Sequence, residues 1–283
     1  MDCHLSHYTD YLLSTPKYAT ATGMSQVFDG KISHDKITRF LAASYLDNTS
    51  VWKAVKPLIR KQIPFEDDQG VIIVDDSIAE KPHTDENALI CWHYDHSLGR
   101  MVKGINFVSL LYAHGEQFSV PLQVALVEKT EAYVDSKSGK TKYKSEKTKN
   151  ELFRDMLSQA TQLVNFKYVL GDSWFSSAEN IGRIVNKLGK HAILAVQSSR
   201  TVALSDKERK NGQFQRVDQL GQLQEGQAME VYLRSVDKPV LLVKQVFTNQ
   251  DGSQGTLFLI ATDLTLSWHD IITIYKKRWK VEQ

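Results

Sequence analysis

The spacing of apolar residues divides the chain into a helical first part and a mixed remainder. Over residues 36–46 and 50–61, apolar side chains recur every three or four positions, which is the period of an amphipathic helix. Gly30 and Pro64 stand at breaks in this pattern. The pattern therefore predicts a helical segment over residues 1–65.

From residue 70 the apolar residues form short β-branched or alternating runs, which are typical of strands. His114, Gly115 and Glu116 separate the second run from the third and predict a hairpin turn. The predicted strands are residues 71–74, 105–112, 120–127, 168–170 and 192–196, and helices are predicted to begin near Glu151 and Ser176. The resulting order is three strands, a helix, a strand, a helix and a strand.

The rest of the chain is rich in glycine turns, with strands predicted at residues 231–234, 240–247 and 256–261. A last helix is predicted to begin at Ser267, where Asp270 completes a capping-box pattern. This order of elements predicts an α/β fold of the ribonuclease H-like type, in which helices flank a mixed sheet. The predicted parts are residues 1–65, a core over 66–198, a β-rich insertion over 199–262, and a final core helix over 263–283.

The composition is that of an ordinary globular protein, with 42% hydrophobic and 24% charged residues. The formal net charge of +2 is too small to indicate a polyanionic partner by itself. Cys3 and Cys91 are the only cysteines, which argues against a disulfide framework and favours a reducing cytoplasm. We find no pattern of a signal peptide and no apolar run long enough to cross a membrane.

Acidic residues follow two of the predicted strands and recur on the last helix. Asp75 or Asp76 ends the first strand, Asp172 ends the fourth, and Glu282 lies in the last helix. In the predicted fold the first and fourth strands are neighbours, so their carboxylates lie side by side. Clustered carboxylates stay ionised only beside positive charge, which hard divalent cations supply. Each of these aspartates taken alone is more often a turn or cap residue.

Three segments resemble insertion-sequence transposases of the DDE type, in the group related to insertion sequence four. They are residues 71–77, residues 169–173 and residues 275–282. In the last segment Tyr275, Arg278 and Glu282 match the family signature of Tyr, two residues, Arg, three residues, Glu. Their spacing would place all three along one side of a helix.

The resemblance implies that Asp76, Asp172 and Glu282 bind two Mg²⁺ ions, for which Mn²⁺ can substitute. Asp76 is preferred over Asp75 because the family's aspartate directly precedes Ser or Thr, although strand alternation leaves the choice open. Tyr275 and Arg278 would contact phosphates.

The resemblance also implies the partners: double-stranded DNA, as terminal inverted repeats and target, bound by a homodimer in the bacterial nucleoid. The family signature continues with a lysine that lies beyond Gln283, so we expect a C-terminally truncated member.

Several alternatives stay open at this level. Lys140, Lys142 and Lys144 belong to a lysine-rich stretch that is either a solvated loop or a track for the DNA backbone. The N-terminal segment is either a plain helical module or one that binds DNA ends. Trp174 is either a core residue or a surface on which a base stacks. The whole chain is a transposase, a nuclease of the same fold, or a remnant that binds DNA ends without cutting them.

Overall fold

The computed structural model describes residues 2–15, 19–43, 48–96, 98–249 and 251–282, without the side chains of Ser50, Val51, Ala54, Val55, Leu58 and Glu282. The chain divides into two compact units, residues 1–55 and residues 56–283. The four-part division predicted from the sequence stays a prediction. None of the helices described is long and apolar enough to cross a membrane.

The first unit is helical, as predicted. It contains α1 (Leu5–Ser14), α2 (Ala21–Val27), α3 (His34–Ala43) and the start of α4 (Asn48–Gln62). Its small core consists of Tyr11, Met24, Ile32 and Ile37. Residues 44–46, the end of the helix predicted over residues 36–46, lie outside the described residues.

The second unit is a large mixed sheet with flanking helices, which confirms the predicted fold class. Its strands are β1 (Val71–Glu80), β2 (Ile90–Asp95), β3 (Arg100–His114), β4 (Phe118–Leu126), β5 (Lys129–Val134), β6 (Thr141–Ser145), β7 (Tyr168–Gly171), β8 (His191–Val196), β9 (Thr201–Ala203), β10 (Gln215–Arg216), β11 (Ala228–Leu233), β12 (Val240–Thr248) and β13 (Gln254–Ala261). Its helices are the end of α4, α5 (Lys149–Leu163), α6 (Ala178–Gly182), α7 (Asp206–Lys210) and α8 (Trp268–Lys276).

The sheet follows the order β10-β9-β11-β12-β13-β8-β7-β1-β3-β2, and β4 also pairs with β3. β1 pairs antiparallel with β3 and parallel with β7, with Ile73 opposite Leu170. The predicted adjacency of the first and fourth strands is therefore confirmed. Because β1 and β7 run in parallel, the residues that follow Val74 and Gly171 meet at one edge of the sheet.

Several strands differ from the sequence prediction. β2 was not predicted, because its run of Cys, Trp, His, Tyr and Asp shows no apolar alternation. The lysine-rich stretch, for which a solvated loop or a track for DNA was left open, contains β6, which pairs with β5 in a hairpin. Polar residues occupy this hairpin because it lies outside the main sheet and buries no face. The insertion does form strands, and they extend the main sheet through the pairing of β13 with β8.

α8 packs against one face of the sheet, beneath β1 and β7. Ile271, Ile272 and Tyr275 of α8 pack in one buried cluster with Val71 of β1 and Leu170 of β7. Ser267 and Asp270 cap α8 reciprocally, as predicted. The helix was expected to continue to Glu282, but a 3₁₀ helix replaces it over Lys277–Glu282. Such tightening is common at helix ends, where carbonyls lose their α-helical partners.

Gly171 lets the end of β7 approach its neighbours. A Cβ atom at this position would lie 2.7 Å from Cγ1 of Val74 and 3.3 Å from a methyl group of Leu194. Any larger residue would push β1 and β7 apart at the point where the aspartates emerge. The glycine therefore fixes the distance between the two strand ends.

Candidate active site

A cleft of about 750 Å³ opens at the edge where β1 and β7 end. Asp75 and Asp76 of β1 and Asp172, directly after β7, all line this cleft. β2, which lies beyond β3 in the same sheet, contributes Trp92, His93, Tyr94 and Asp95 to the lining. The sheet thus brings together the aspartates that the sequence separates by about a hundred positions.

The two aspartates of β1 point to opposite faces of the sheet. By strand alternation Asp75 shares its face with Val71 and Ile73, which pack against α8. Asp76 shares the other face with Val74. Both side chains are about four-fifths buried and reach the cleft, because β1 extends past the end of β7.

Asp75 is a carboxyl group in an unfavourable place for a negative charge. Burial raises its pKa to about 6, and the neighbouring charges of Asp172 and Asp76 act in the same direction. Arg278 opposes them, with Nη1 lying 4.0 Å from Oδ1 of Asp75. One arginine does not fully compensate the buried negative charge of this cluster.

Asp172 caps the short 3₁₀ helix Ser173–Phe175. Its Oδ1 accepts a hydrogen bond of 2.9 Å from the amide of Trp174. Burial raises the pKa of Asp172, and the charge of Asp76 adds to this, while the Trp174 amide and Arg278 lower it. The cap fixes the direction of the carboxylate, so one oxygen is engaged by the backbone.

Asp76 has a different partner, since the ammonium of Lys149 forms an ion pair with its Oδ2. Lys149 is the first residue of α5, whose start is fixed by a capping box between Thr148 and Glu151. Both members of the ion pair are about four-fifths buried. The ammonium group of Lys149 thus offsets the negative charge of Asp76 on the face of the sheet opposite α8.

Tyr275 and Arg278 support the same edge from α8 and the 3₁₀ helix after it. Tyr275 is 3% exposed, and its hydroxyl donates a hydrogen bond of 3.2 Å to the carbonyl of Gly171. Burial raises the pKa of this hydroxyl. Tyr275 thereby anchors the end of β7 directly before Asp172, and the phosphate contact expected for it stays a prediction.

Glu282 lies in the 3₁₀ helix, but its side chain is outside the described part of the structure. Among the side chains that are described, no three histidine, cysteine, aspartate or glutamate residues form a metal-binding group. The donors that are present nevertheless fit a hard divalent cation, because they are carboxylate oxygens with raised pKa values in a polar cleft.

A comparison with protein families gives the chain its class. The family model for the DDE superfamily endonuclease matches residues 2–218. The chain belongs to the DDE superfamily endonucleases. The match includes β1, β7 and the aspartates Asp75, Asp76 and Asp172. A comparison with curated proteins finds no match.

Because the chain belongs to the DDE endonucleases, its function is of the nuclease type. The residues around the aspartates are therefore of interest for that function. The sequence prediction gave Lys149 and His93 no role beside the aspartates, although both line the cleft. His93 is 7% exposed on β2; Asn106 Nδ2 donates to its Nδ1 over 3.4 Å, and Cys91 Sγ lies 3.3 Å from its Nε2. Burial and the charges of Lys129 and Lys149 lower the pKa of His93 to about 4.

The lysines proposed to bind DNA lie elsewhere in this endonuclease, on the exposed β5–β6 hairpin. Lys142 forms an ion pair with Asp135, and Lys144 lies 3.4 Å from Glu131. Lys140 has no carboxylate partner within the described residues. DNA binding by these lysines stays a prediction.

Proposed function

We propose that this DDE endonuclease is a DNA transposase of the group related to insertion sequence four, which cuts element ends and joins them to target DNA. The observation that carries the proposal is the pair of half-buried aspartates, Asp75 and Asp172, at the ends of neighbouring parallel strands. Their raised pKa values indicate a site that favours a bound cation.

In this proposal the carboxylates hold Mg²⁺ or Mn²⁺, which when bound supplies an activated oxygen nucleophile and stabilises the leaving oxygen. The chain provides orientation: the Trp174 amide holds Asp172, and Tyr275 holds the strand end before it. Arg278 and Lys149 offset part of the negative charge and are placed to contact a phosphate.

The sequence motif favours Asp76 as the metal ligand of β1, together with Asp172 and Glu282. The geometry favours Asp75 in place of Asp76. Asp75 shares the face of α8, from which Glu282 follows, whereas Asp76 already pairs with Lys149. A carboxylate whose charge is less compensated is the better ligand for a cation.

The test is cleavage of a supercoiled plasmid that carries the genomic DNA flanking the reading frame, with Mg²⁺ or Mn²⁺ added. We expect nicked and linear products that require the metal and disappear in Asp172→Asn. Loss of cleavage in Asp75→Asn and its retention in Asp76→Asn would support Asp75, and the reverse would restore Asp76. Full activity of Asp172→Asn would reject the proposed site.

Joined donor–target products separate a transposase from a nuclease of the same fold, because strand transfer requires a free 3′-hydroxyl to attack a second DNA. Cleavage without joined products would support the nuclease. Binding of the flanking DNA without cleavage would support a DNA-end-binding protein. A homodimer on DNA is part of the proposal, and cross-linking of protomers in the presence of that DNA tests it.

A further inference from the structure

A second groove, of about 630 Å³, continues from the carboxylate cleft. The two share Ser173, Trp174 and Gln197 in their linings. Beyond these residues the lining consists of serine and threonine residues together with Asn150, Ala178, Arg200 and Arg234. None of the described residues that line it is acidic, in contrast to the cleft.

Arg200 is a half-buried cation with no carboxylate beside it in the described structure. Its backbone is fixed on both sides, since its amide donates to the Gln197 carbonyl and its carbonyl accepts from the Val217 amide. Burial alone lowers the pKa of its guanidinium. Arg234, on the exposed side of the groove, lies over the Phe214 ring at 4.6 Å. The groove therefore presents positive charge that no carboxylate among the described residues neutralises, which suits an anionic ligand.

Trp174 stands where the groove meets the cleft, and 48% of it is exposed. Its amide is bonded to Asp172, so its indole lies one short turn from a carboxylate of the cleft. His96 approaches the indole at 5.6 Å between ring centroids, and the Lys149 ammonium lies 5.9 Å from the indole centroid. An exposed indole held in this way offers a face to a nucleobase.

We propose that this groove binds one unpaired DNA strand beside the scissile phosphate. Arg200 and Arg234 contact its phosphates, Ser173 and Ser177 donate hydrogen bonds, and Trp174 stacks on a base. A base inside a duplex is stacked on its neighbours and cannot lie on the indole, so the ligand is single-stranded at this point. The inference rests on the proposed function of the cleft. It adds that the DNA is single-stranded where it leaves the cleft and enters the groove.

The test measures fluorescence anisotropy of a fluorescein-labelled single-stranded oligodeoxynucleotide and of its blunt duplex, with the intact chain in EDTA so that no cleavage occurs. For Trp174→Ala we expect about tenfold weaker binding of the single strand, with Trp174→Phe close to wild type. For Arg200→Gln we expect the slope of log K against log salt to fall by about 0.7, as for one lost phosphate contact.

Arg216→Gln is the matched control, because Arg216 is exposed, pairs with Asp218 and does not line the groove. Recovery of the slope in Arg200→Lys shows that the charge acts rather than the packing. If Arg200→Gln unfolds, the exposed Arg234→Gln gives the same test.

Unchanged single-strand binding in Trp174→Ala and the arginine variants, with plasmid cleavage intact, would overturn the groove and leave the proposed function standing. Equal losses for single strand and duplex would also overturn it. A wild-type chain that neither binds nor cuts DNA would overturn both.

Discussion

The carboxylate cleft and the β5–β6 hairpin are both conspicuously charged in the sequence, but the fold treats their charges differently. In the cleft, burial raises the pKa values of Asp75 and Asp172, and their opposing cations reach them from separate elements. On the hairpin, Asp135 pairs with Lys142 and accepts hydrogen bonds from the Ser138 and Lys137 amides, and these partners lower its pKa to about 2.

The difference shows that clustering of charges in the sequence is a poor guide to a site. A charge becomes chemically useful where the fold removes water and leaves the charge partly uncompensated. A carboxylate that already has a cation and backbone donors as partners, as Asp135 has, leaves little charge for a ligand. The aspartates are therefore expected to dominate activity, and the hairpin is expected to tolerate change.

The sharpest test of this contrast exchanges one carboxylate for an amide in each region. Asp172→Asn removes a proposed metal ligand, and we expect cleavage to fall by at least about 100-fold, since disturbing even the groups that orient metal ligands costs 10–100-fold. Asp135→Asn, the same chemical change on the hairpin, should retain activity. The measurement is the rate of plasmid nicking with Mg²⁺, and comparable losses in both variants would break the comparison.

The lining of the cleft gives a second test, through the stability of the folded chain. His93 has a pKa of about 4 when folded and an ordinary value of 6.5, and it faces Cys91, Lys129 and Lys149. Between these pH values the unfolded chain takes up a proton that the folded chain does not. The free energy of unfolding should therefore fall as the pH drops from 6.5 to 4, with a contribution from His93 of roughly 2–3 kcal/mol.

Denaturant titrations of the wild type and His93→Gln across this range measure that contribution as the difference between their pH dependences. His83→Gln, which replaces an exposed histidine, is the control and should follow the wild type. Identical pH dependences for His93→Gln and the wild type would show that burial does not lower the pKa of His93. The contrast between the cleft and the hairpin would then not extend to this residue.

The order of elements could be predicted from the sequence because buried strands and capped helices leave local patterns. The run over residues 71–74, the turn at Gly115 and the cap at Ser267 are such patterns, and the structure confirms all three. β2 left no such pattern, because its residues are mostly polar or aromatic and four consecutive ones line the cleft. Its place in the cleft depends on pairing with β3, which no local signal shows.

The partners of the aspartates could not be predicted for the same reason. Lys149 is one lysine among several in its stretch, and only the start of α5 places it against Asp76. The choice between Asp75 and Asp76 depends on which face α8 covers, which is a property of the whole sheet. Spacing on an α-helix also failed beyond Lys276, where the backbone becomes a 3₁₀ helix.

A smaller effect is expected at Tyr275, whose hydroxyl binds the end of β7 beneath the cleft. Tyr275→Phe keeps the packed ring and removes the hydroxyl that donates to Gly171, leaving a buried carbonyl without this donor. We expect a loss of about 1–2 kcal/mol in the free energy of unfolding. Tyr133→Phe makes the same change on the exposed hairpin and should cost nothing measurable. Equal costs in the two variants, measured by urea unfolding, would contradict the anchoring role of Tyr275.

The smallest expected effect concerns the lysines of the hairpin, where the question is how much charge is left for DNA. Lys142 is opposed by Asp135, whereas Lys140 has no carboxylate partner among the described residues. If duplex DNA lies on the hairpin, Lys140→Gln should lower the slope of log K against log salt by about 0.9, the value for one phosphate contact. Lys142→Gln should lower it less, because its counter-charge is already present in the free protein. Slopes that fall equally would mean that Lys142 leaves Asp135 on binding, and unchanged slopes in both would remove the hairpin from the DNA-binding surface.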